Sequence, residues 1–326
     1  MMKKIIRIYA VLLAAAMLIS LAACGTEQGE NKEQTTVSDE REVKTRVAVQ
    51  DGSSGLGLLK FKDDRSYAYD VEYYSDPQEI ASLVEKGEAD IAAVPLNLAA
   101  ELYKKTNGGI QMIAINTLGM LYVLSSDESV KSLEDLKGKT VYSSCPGAMP
   151  EYIVNYILDK NGIEDVDIQY KSTHDELASL ANEGKAEICI LPGYFAAKVT
   201  AKNEKMKPVI DLTDEWNKVS EAELAMGCYI ARKDFIESNP EILSEFLEFA
   251  EISTNYINDI TRSLIFLIEG KYFETQEEAA WAVSGSSAVF ITGEKMKNIA
   301  APEFEILFNA YPASIGGEIP NDAFYN

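Results

Sequence analysis

One histidine, His174, occurs in 326 residues, and that scarcity already narrows the chemistry. A nucleophilic triad needs an imidazole that takes and returns a proton, and a histidine in the first turn of a capped helix reads as a surface residue. No GxSxG elbow, Walker loop or HExxH motif is present, and no pair of carboxylates is singled out for acid and base work. Cysteine is sparse as well. The three that follow Cys24, namely Cys145, Cys189 and Cys228, are odd in number and lack metal-ligand spacing, which argues against a disulfide framework or a zinc site. Cys189, inside the apolar ICIL run, reads as a small core residue. Positive charge is in short supply too: 30 Lys and Arg face 52 Asp and Glu, for a net charge of −22, so nucleic acid is a poor partner.

Long apolar runs are missing. The stretch from Tyr9 to Leu18 is too short to span a bilayer; with Lys3, Lys4 and Arg7 before it and LAAC ending at Cys24 after it, it reads as a secretory signal with a lipoprotein cleavage box. Residues 1–23 are then a signal peptide, the Cys24 thiol carries diacylglycerol, and residues 24–44, polar and with almost nothing to bury, form a flexible tether.

What the sequence does have is a duplication. EIASLVEKGEADIAAVPLNLAA from Glu79 and ELASLANEGKAEICILPGYFAA from Glu176 align without a gap at an offset of 97 residues. Each copy reads as a capped helix, a glycine stop at Gly87 or Gly184, a short buried strand suited to the centre of a parallel sheet, and a loop opening at Pro95 or Pro192. Ligands of open α/β sheets sit beyond the carboxyl ends of strands, which points to Pro95 with Asn97 and to Pro192 with Tyr194. Two loops rich in small residues join them. Gly52, Ser53, Ser54 and Gly55 follow the strand TRVAVQ, with LGLLKF continuing as a helix; Ser143, Ser144, Gly147 and Ala148 follow a strand near Lys139–Tyr142.

Alternating strands and helices predict an α/β fold of two lobes, each Rossmann-like, since the roughly 300 residues after the cleavage site exceed one comfortable core. Lobe 1 is expected from 45–118 and 232–326, and lobe 2 from 119–231. The apolar stretch around Asn116 and Thr117 suits a crossover, with Gly119 as a hinge, and Gly227 marks the return.

Together VAVQDGSSGLGLLK, ADIAAVPLNLAAELYKKTNGG, INTLGMLYVL, SLEDLKGKTVY, EYIVNYILDKNG and MGCYIARKDFIESNPEIL resemble the solute-binding lipoproteins of ABC importers, in the type II periplasmic binding protein group that binds nitrate, sulfonates, taurine and thiamine pyrimidines. The resemblance runs from about Val47 to Tyr325. It implies two lobes joined by two crossover segments, with a small solute enclosed between them: a sulfonate, a nitrate-like anion or a heterocycle such as a pyrimidine. The chain is expected to be a monomer that docks on an ABC permease, without cofactor, metal or catalysis. By position it places the ligand contacts at Gly52 to Gly55, Pro95, Asn97, Asn116, Thr117, Ser143 to Ala148, Pro192 and Tyr194. Two departures fall there: Gly193 stands where many relatives are acidic, and Ser53-Ser54 where a Pro-Thr pair is common. No lysine or arginine falls in these loops, which disfavours a doubly charged anion. An enzyme of pyrimidine or menaquinone-pathway type on the same fold, and a surface sensor lipoprotein, remain alternatives.

Overall fold

Strands and helices alternate along the chain and take it through two sheets in three passes. The computed structural model describes residues 43–326; the expected signal peptide, the lipidation site Cys24 and the tether up to residue 42 lie outside the described residues. The first pass contains β1 (Thr45–Gln50), α1 (Ser53–Leu56), α2 (Leu59–Asp64), β2 (Tyr69–Tyr74), α3 (Pro77–Glu85), β3 (Ile91–Pro95), α4 (Leu96–Lys105) and β4 (Ile110–Leu118). The second contains β5 (Leu121–Ser125), β6 (Thr140–Ser144), α5 (Met149–Lys160), β7 (Asp167–Lys171), α6 (His174–Asn182), β8 (Ile188–Pro192), α7 (Gly193–Lys202), β9 (Lys207–Asp211) and α8 (Leu212–Val219). The third returns with β10 (Ala225–Arg232), α9 (Lys233–Ser238), α10 (Pro240–Asn258), α11 (Ile260–Glu269), α12 (Gln276–Ser286), β11 (Ala288–Ile291) and α13 (Gly293–Ala310).

The first sheet has the order β11-β4-β10-β3-β1-β2 and the second β7-β6-β8-β5-β9. Read as β2-β1-β3-β10-β4, the first sheet repeats the second strand for strand, with β11 added at one edge. The duplicated strands β3 and β8 are buried along their whole length, as the apolar runs require. Each is parallel to one neighbour only: β3 to β1 and β8 to β6, while β10 and β5 run antiparallel on the other side. The sheets are therefore mixed rather than parallel throughout.

The offset of 97 survives in three dimensions to the residue. Every boundary of α3, β3 and α4 maps onto α6, β8 and α7. Local chemistry explains why. The Asp76 side chain accepts from Gln78 N at 2.9 Å and the Thr173 hydroxyl from Glu176 N at 3.2 Å, so both helices start on a side-chain cap. Both stop at a glycine with φ of +71°, a left-handed backbone that a side chain would strain.

Three expectations need correction. The segments after Pro95 and Pro192 are not loops: each proline is the N-cap of a helix that starts at the next residue, which puts Asn97 and Tyr194 in first helical turns. The helix after the DGSSG loop is broken into two short pieces at Gly57 and Leu58. The return crossing also comes earlier than residue 231. β10 is hydrogen-bonded between β3 and β4 of the first sheet, so the chain crosses back over 220–224. Gly227 consequently lies inside a strand, paired with Pro95 and Thr117, where a Cβ would come within 2.7 Å of Asn116 Oδ1; close approach, not rotation, demands the glycine. Gly119 does lie on the first crossing, between β4 and β5, and Thr213 fills the space its side chain would take, 2.3 Å from an added Cβ. Cys145, Cys189 and Cys228 are buried free thiols. Among the described residues no helix is long and apolar enough to cross a membrane.

Candidate functional site

The carboxyl ends of β1 and β8 meet across a seam between the two sheets, and Ser53 is its pin. Its Oγ accepts from Tyr194 N at 3.1 Å, in the first turn of α7, and donates to Ser286 Oγ at 3.0 Å, the last residue of α12. Contact on either side leaves no room for side chains. Gly52 has φ of +91°, and a Cβ on it would come within 2.4 Å of the Phe195 ring; a Cβ on Gly193 would lie 2.1 Å from Gly285 O. The small residues of the DGSSG loop thus let α1 approach α7, and α7 approach α12.

A second contact spans the seam at Asn97. Its Nδ2 donates to Gly147 O at 2.9 Å, in the loop after β6, and to Ser314 O at 3.2 Å. Two carbonyls on one side fix the orientation of the amide, which leaves Asn97 Oδ1 buried without a donor. Ser143 Oγ and Ser314 Oγ are also buried and unpartnered. Such atoms cost about 1–3 kcal/mol each when nothing bonds them, so they mark places where water or a polar solute supplies the missing bond. Asn116 and Thr117 turn inward to a different purpose: Asn116 Nδ2 donates to Ser54 O at 3.3 Å and Thr117 Oγ1 to Asn116 Oδ1 at 2.9 Å, which ties α1 to β4 within the first sheet's half. Pro95 and Pro192 cap α4 and α7, and Ala148 caps α5.

His174 is where the sequence misled. It is 6% exposed, not a surface residue. Its Nδ1 lies 2.7 Å from Ser144 Oγ, its Nε2 3.8 Å from Cys145 Sγ, and its ring packs 5.1 Å from Phe195. Serine, histidine and cysteine in contact suggest a nucleophile and base, but burial disarms them. It pushes the imidazole down to about 4 and the Cys145 thiol up to about 12, so at neutral pH neither carries charge. The trio fixes the loop after β6, where Cys145 holds a left-handed backbone with φ of +55°.

Beside the Ser53 pin lies a cavity of about 210 Å³. Asp51, Gly52, Gly55, Leu56 and Leu59 supply one wall and Tyr73 the floor strand; Tyr194 comes from the other side of the seam, Tyr272 from the link between α11 and α12, and Lys62 borders it. Of the sequence-predicted contacts, Gly52, Gly55 and Tyr194 reach this cavity, whereas Ser53, Asn97 and Gly147 lie on the closed seam. Asp51, Tyr73 and Tyr272 were missed. Asp51 had a visible signal, a carboxylate followed by a glycine at the end of an apolar strand; Tyr272, over 200 residues away, had none. Burial raises the Asp51 carboxyl above its ordinary range, partly offset by the bond it accepts from Gly52 N at 2.7 Å. Larger open depressions of about 420 and 700 Å³ border Asp127, but the first lies where β8 begins and neither touches the seam.

Two mixed sheets of matching order, joined by crossings and meeting at their strand ends, define the periplasmic binding protein fold. Solved structures carry the same architecture. A chain from Parabacteroides distasonis described as an ABC transporter superposes with a TM-score of 0.71 at 19% identity, covering 87% of this chain and 98% of that one. The alkanesulfonate-binding protein SsuA of Xanthomonas axonopodis pv. citri, solved with MOPS, gives 0.66 at 10% identity, over 85% and 94%. The aliphatic sulphonate binding protein SsuA of Escherichia coli gives 0.65 at 11%, over 87% and 96%. No curated protein matches by sequence. The NMT1/THI5-like family description matches residues 69–259, and the chain belongs to that family.

Proposed function

We propose that the protein is an extracytoplasmic solute-binding component of an ABC importer that captures a small organic solute between its two sheets and delivers it to a permease. The observation that carries this reading is the shared cavity: Tyr194 reaches it across a seam where α7 also packs on α12 through apolar side chains, and the other lining residues face it, so a solute there touches both halves only when the seam is shut. A ligand with extra affinity for the shut form draws the equilibrium toward it. Hydrogen bonds such as Tyr194 N to Ser53 Oγ and Asn97 Nδ2 to Gly147 O then form, and the shut surface docks on the permease. The crossings at Gly119–Met120 and 220–224 carry the rotation. Diacylglycerol on Cys24 holds the protein at the outer face of the membrane, as a monomer.

A catalytic role gains no support from the buried, uncharged His174, Ser144 and Cys145. The neighbours' printed ligands, sulfonates and MOPS, belong to proteins under 20% identical and leave the solute of this chain open. Mass spectrometry of solute released by heat from the purified protein tests the reading. A small molecule present in near-stoichiometric amount, and raising the melting temperature when added back to stripped protein, is the expected result. Protein that carries none, and whose melting temperature no small molecule fraction of the source cell raises, contradicts it. For the anchor, a Cys24→Ser variant should move from the membrane to the soluble fraction.

A further inference from the structure

The cavity at the seam has a charge preference that the solute-binding reading leaves open. Its walls are aromatic and aliphatic, from Tyr73, Tyr194, Tyr272, Leu56 and Leu59, and its one acidic group is Asp51. The hydrogen bond that Asp51 receives comes from Gly52 N at 2.7 Å, on Oδ1, and no described lysine or arginine forms an ion pair with it. The tyrosine faces already attract ammonium groups of the chain itself. Lys62 Nζ lies 4.9 Å from the centre of the Tyr73 ring and Lys198 Nζ 4.4 Å from that of Tyr194. Ring faces of this kind hold cations through their quadrupole, and more strongly away from water. The acids outnumber the bases around the site: Asp51, Asp175 and Glu278 act on Tyr194, against Lys62 and Lys198 on Asp51, in a chain with a net charge of −22.

We propose that this cavity takes a small organic cation, an amine or ammonium carried on an apolar body, with the positive group facing Asp51 and the body resting on Tyr73, Tyr194 and Tyr272. The assignment rests on the solute-binding reading and adds a charge to it. An anion there would meet a half-buried carboxylate that Lys198 and Lys62 offset only through space, with no ion pair formed to it. Lys62, exposed beside the cavity, is the one lining group that opposes a cation; it competes for the Tyr73 face, and its removal should help a cationic solute and hinder an anionic one.

Three probes of one shape separate the charges: benzylamine, benzyl alcohol and benzenesulfonate, titrated by calorimetry into the full chain stripped of carried solute. Benzylamine is expected to bind about tenfold tighter than the alcohol, with the sulfonate weakest. Asp51→Asn keeps an acceptor for Gly52 N and removes a charge that burial disfavours, so its unliganded melting temperature should not fall below the native one while benzylamine affinity falls about tenfold. Lys62→Met should tighten benzylamine a few-fold. Benzenesulfonate binding as well as benzylamine, benzylamine without heat at about 10 mM, or an Asp51→Asn variant with unchanged affinity would each overturn the assignment. If the sulfonate binds and raises the melting temperature, the charge is wrong and the solute-binding reading stands. If neither the probes nor the heat-released fraction changes the melting temperature, both fail.

Discussion

Ser53 Oγ and Tyr194 N, 141 residues apart in sequence, are hydrogen-bonded at 3.1 Å across the seam between the two sheets. One hydroxyl therefore reports whether the halves are together, because Tyr194 sits in the first turn of α7, where backbone N–H groups have no intrahelical partner. Replacing Ser53 by alanine removes the acceptor in the shut form alone. That form should lose about 1–3 kcal/mol relative to the open one, and solute affinity should fall by about tenfold or more while the stability of the unliganded protein changes little. Calorimetry with the heat-released solute checks the first, thermal denaturation the second.

Gly193 opens α7 at a point where the structure leaves no room for a side chain. A Cβ there would lie 2.1 Å from Gly285 O, a backbone atom that cannot swing away as a side chain would. Gly193→Ala should therefore push α12 off α7 and weaken solute binding more than Ser53→Ala does. X-ray scattering would register the change as a larger radius of gyration in the presence of solute.

The duplicated glycines give a matched pair. Gly87 and Gly184 share a φ of +71°, so alanine at either costs about 1–2 kcal/mol of backbone strain. Their surroundings differ. Nothing lies within 4 Å of a Cβ on Gly184, whereas one on Gly87 would meet Arg232 Nη1 at 2.5 Å. Arg232 pairs with Asp90 at 3.2 Å and also donates to Gly87 O. Gly87→Ala should thus destabilise more than Gly184→Ala in urea denaturation, and equal losses would show that the Arg232 contact carries no weight.

Two buried groups give opposite pH signatures. His174 is neutral in the fold down to about 4, while an unfolded histidine takes up a proton near 6.5. Its contribution is complete above pH 6.5 and is lost as pH falls toward 4, a decline of about 3 kcal/mol at most. His174→Gln should flatten that limb of the stability curve. Glu303 behaves in reverse. Its Oε2 accepts from Ala225 N at 2.7 Å, Oε1 is buried without a partner, and burial holds the carboxyl well above the ordinary range. The folded protein keeps this proton where the unfolded chain releases it, so stability contributed by Glu303 is present at low pH and falls as pH rises above about 4.5. Glu303→Gln, which retains an acceptor for Ala225 N, should gain stability relative to the native chain at pH 8 and not at pH 4.

The duplicated helix and strand were legible because every signal that bounds them is local, Asp76 and Thr173 as caps, Gly87 and Gly184 as stops, Pro95 and Pro192 at the strand ends, whereas the helix that each proline caps was read as a loop. The first crossing was legible for a related reason, since an apolar run interrupted at Gly119 cannot be one strand. What escaped depends on contacts made by the fold. His174 follows a capping threonine and precedes an acid, so its neighbours look solvated, and only the loop after β6 and Phe195 bury it. Gly227 resembles a hinge in sequence yet is a strand residue crowded by Asn116. The cavity was half visible: Gly52, Gly55 and Tyr194 belong to the strand-end loops and helix starts that the pattern marks, while Tyr73 and Tyr272 come from an edge strand and an irregular link with no motif of their own.

Hydrogen exchange at the Tyr194 amide tests the central claim most directly, because Ser53 holds that group across the seam. Measured on stripped protein and again after the heat-released solute is added back, the account predicts that exchange of this amide slows markedly with solute while the buried amides of β3 and β8 are unchanged. Equal protection of Tyr194 in both samples would mean that the two halves do not part, and that no solute is captured by their closing.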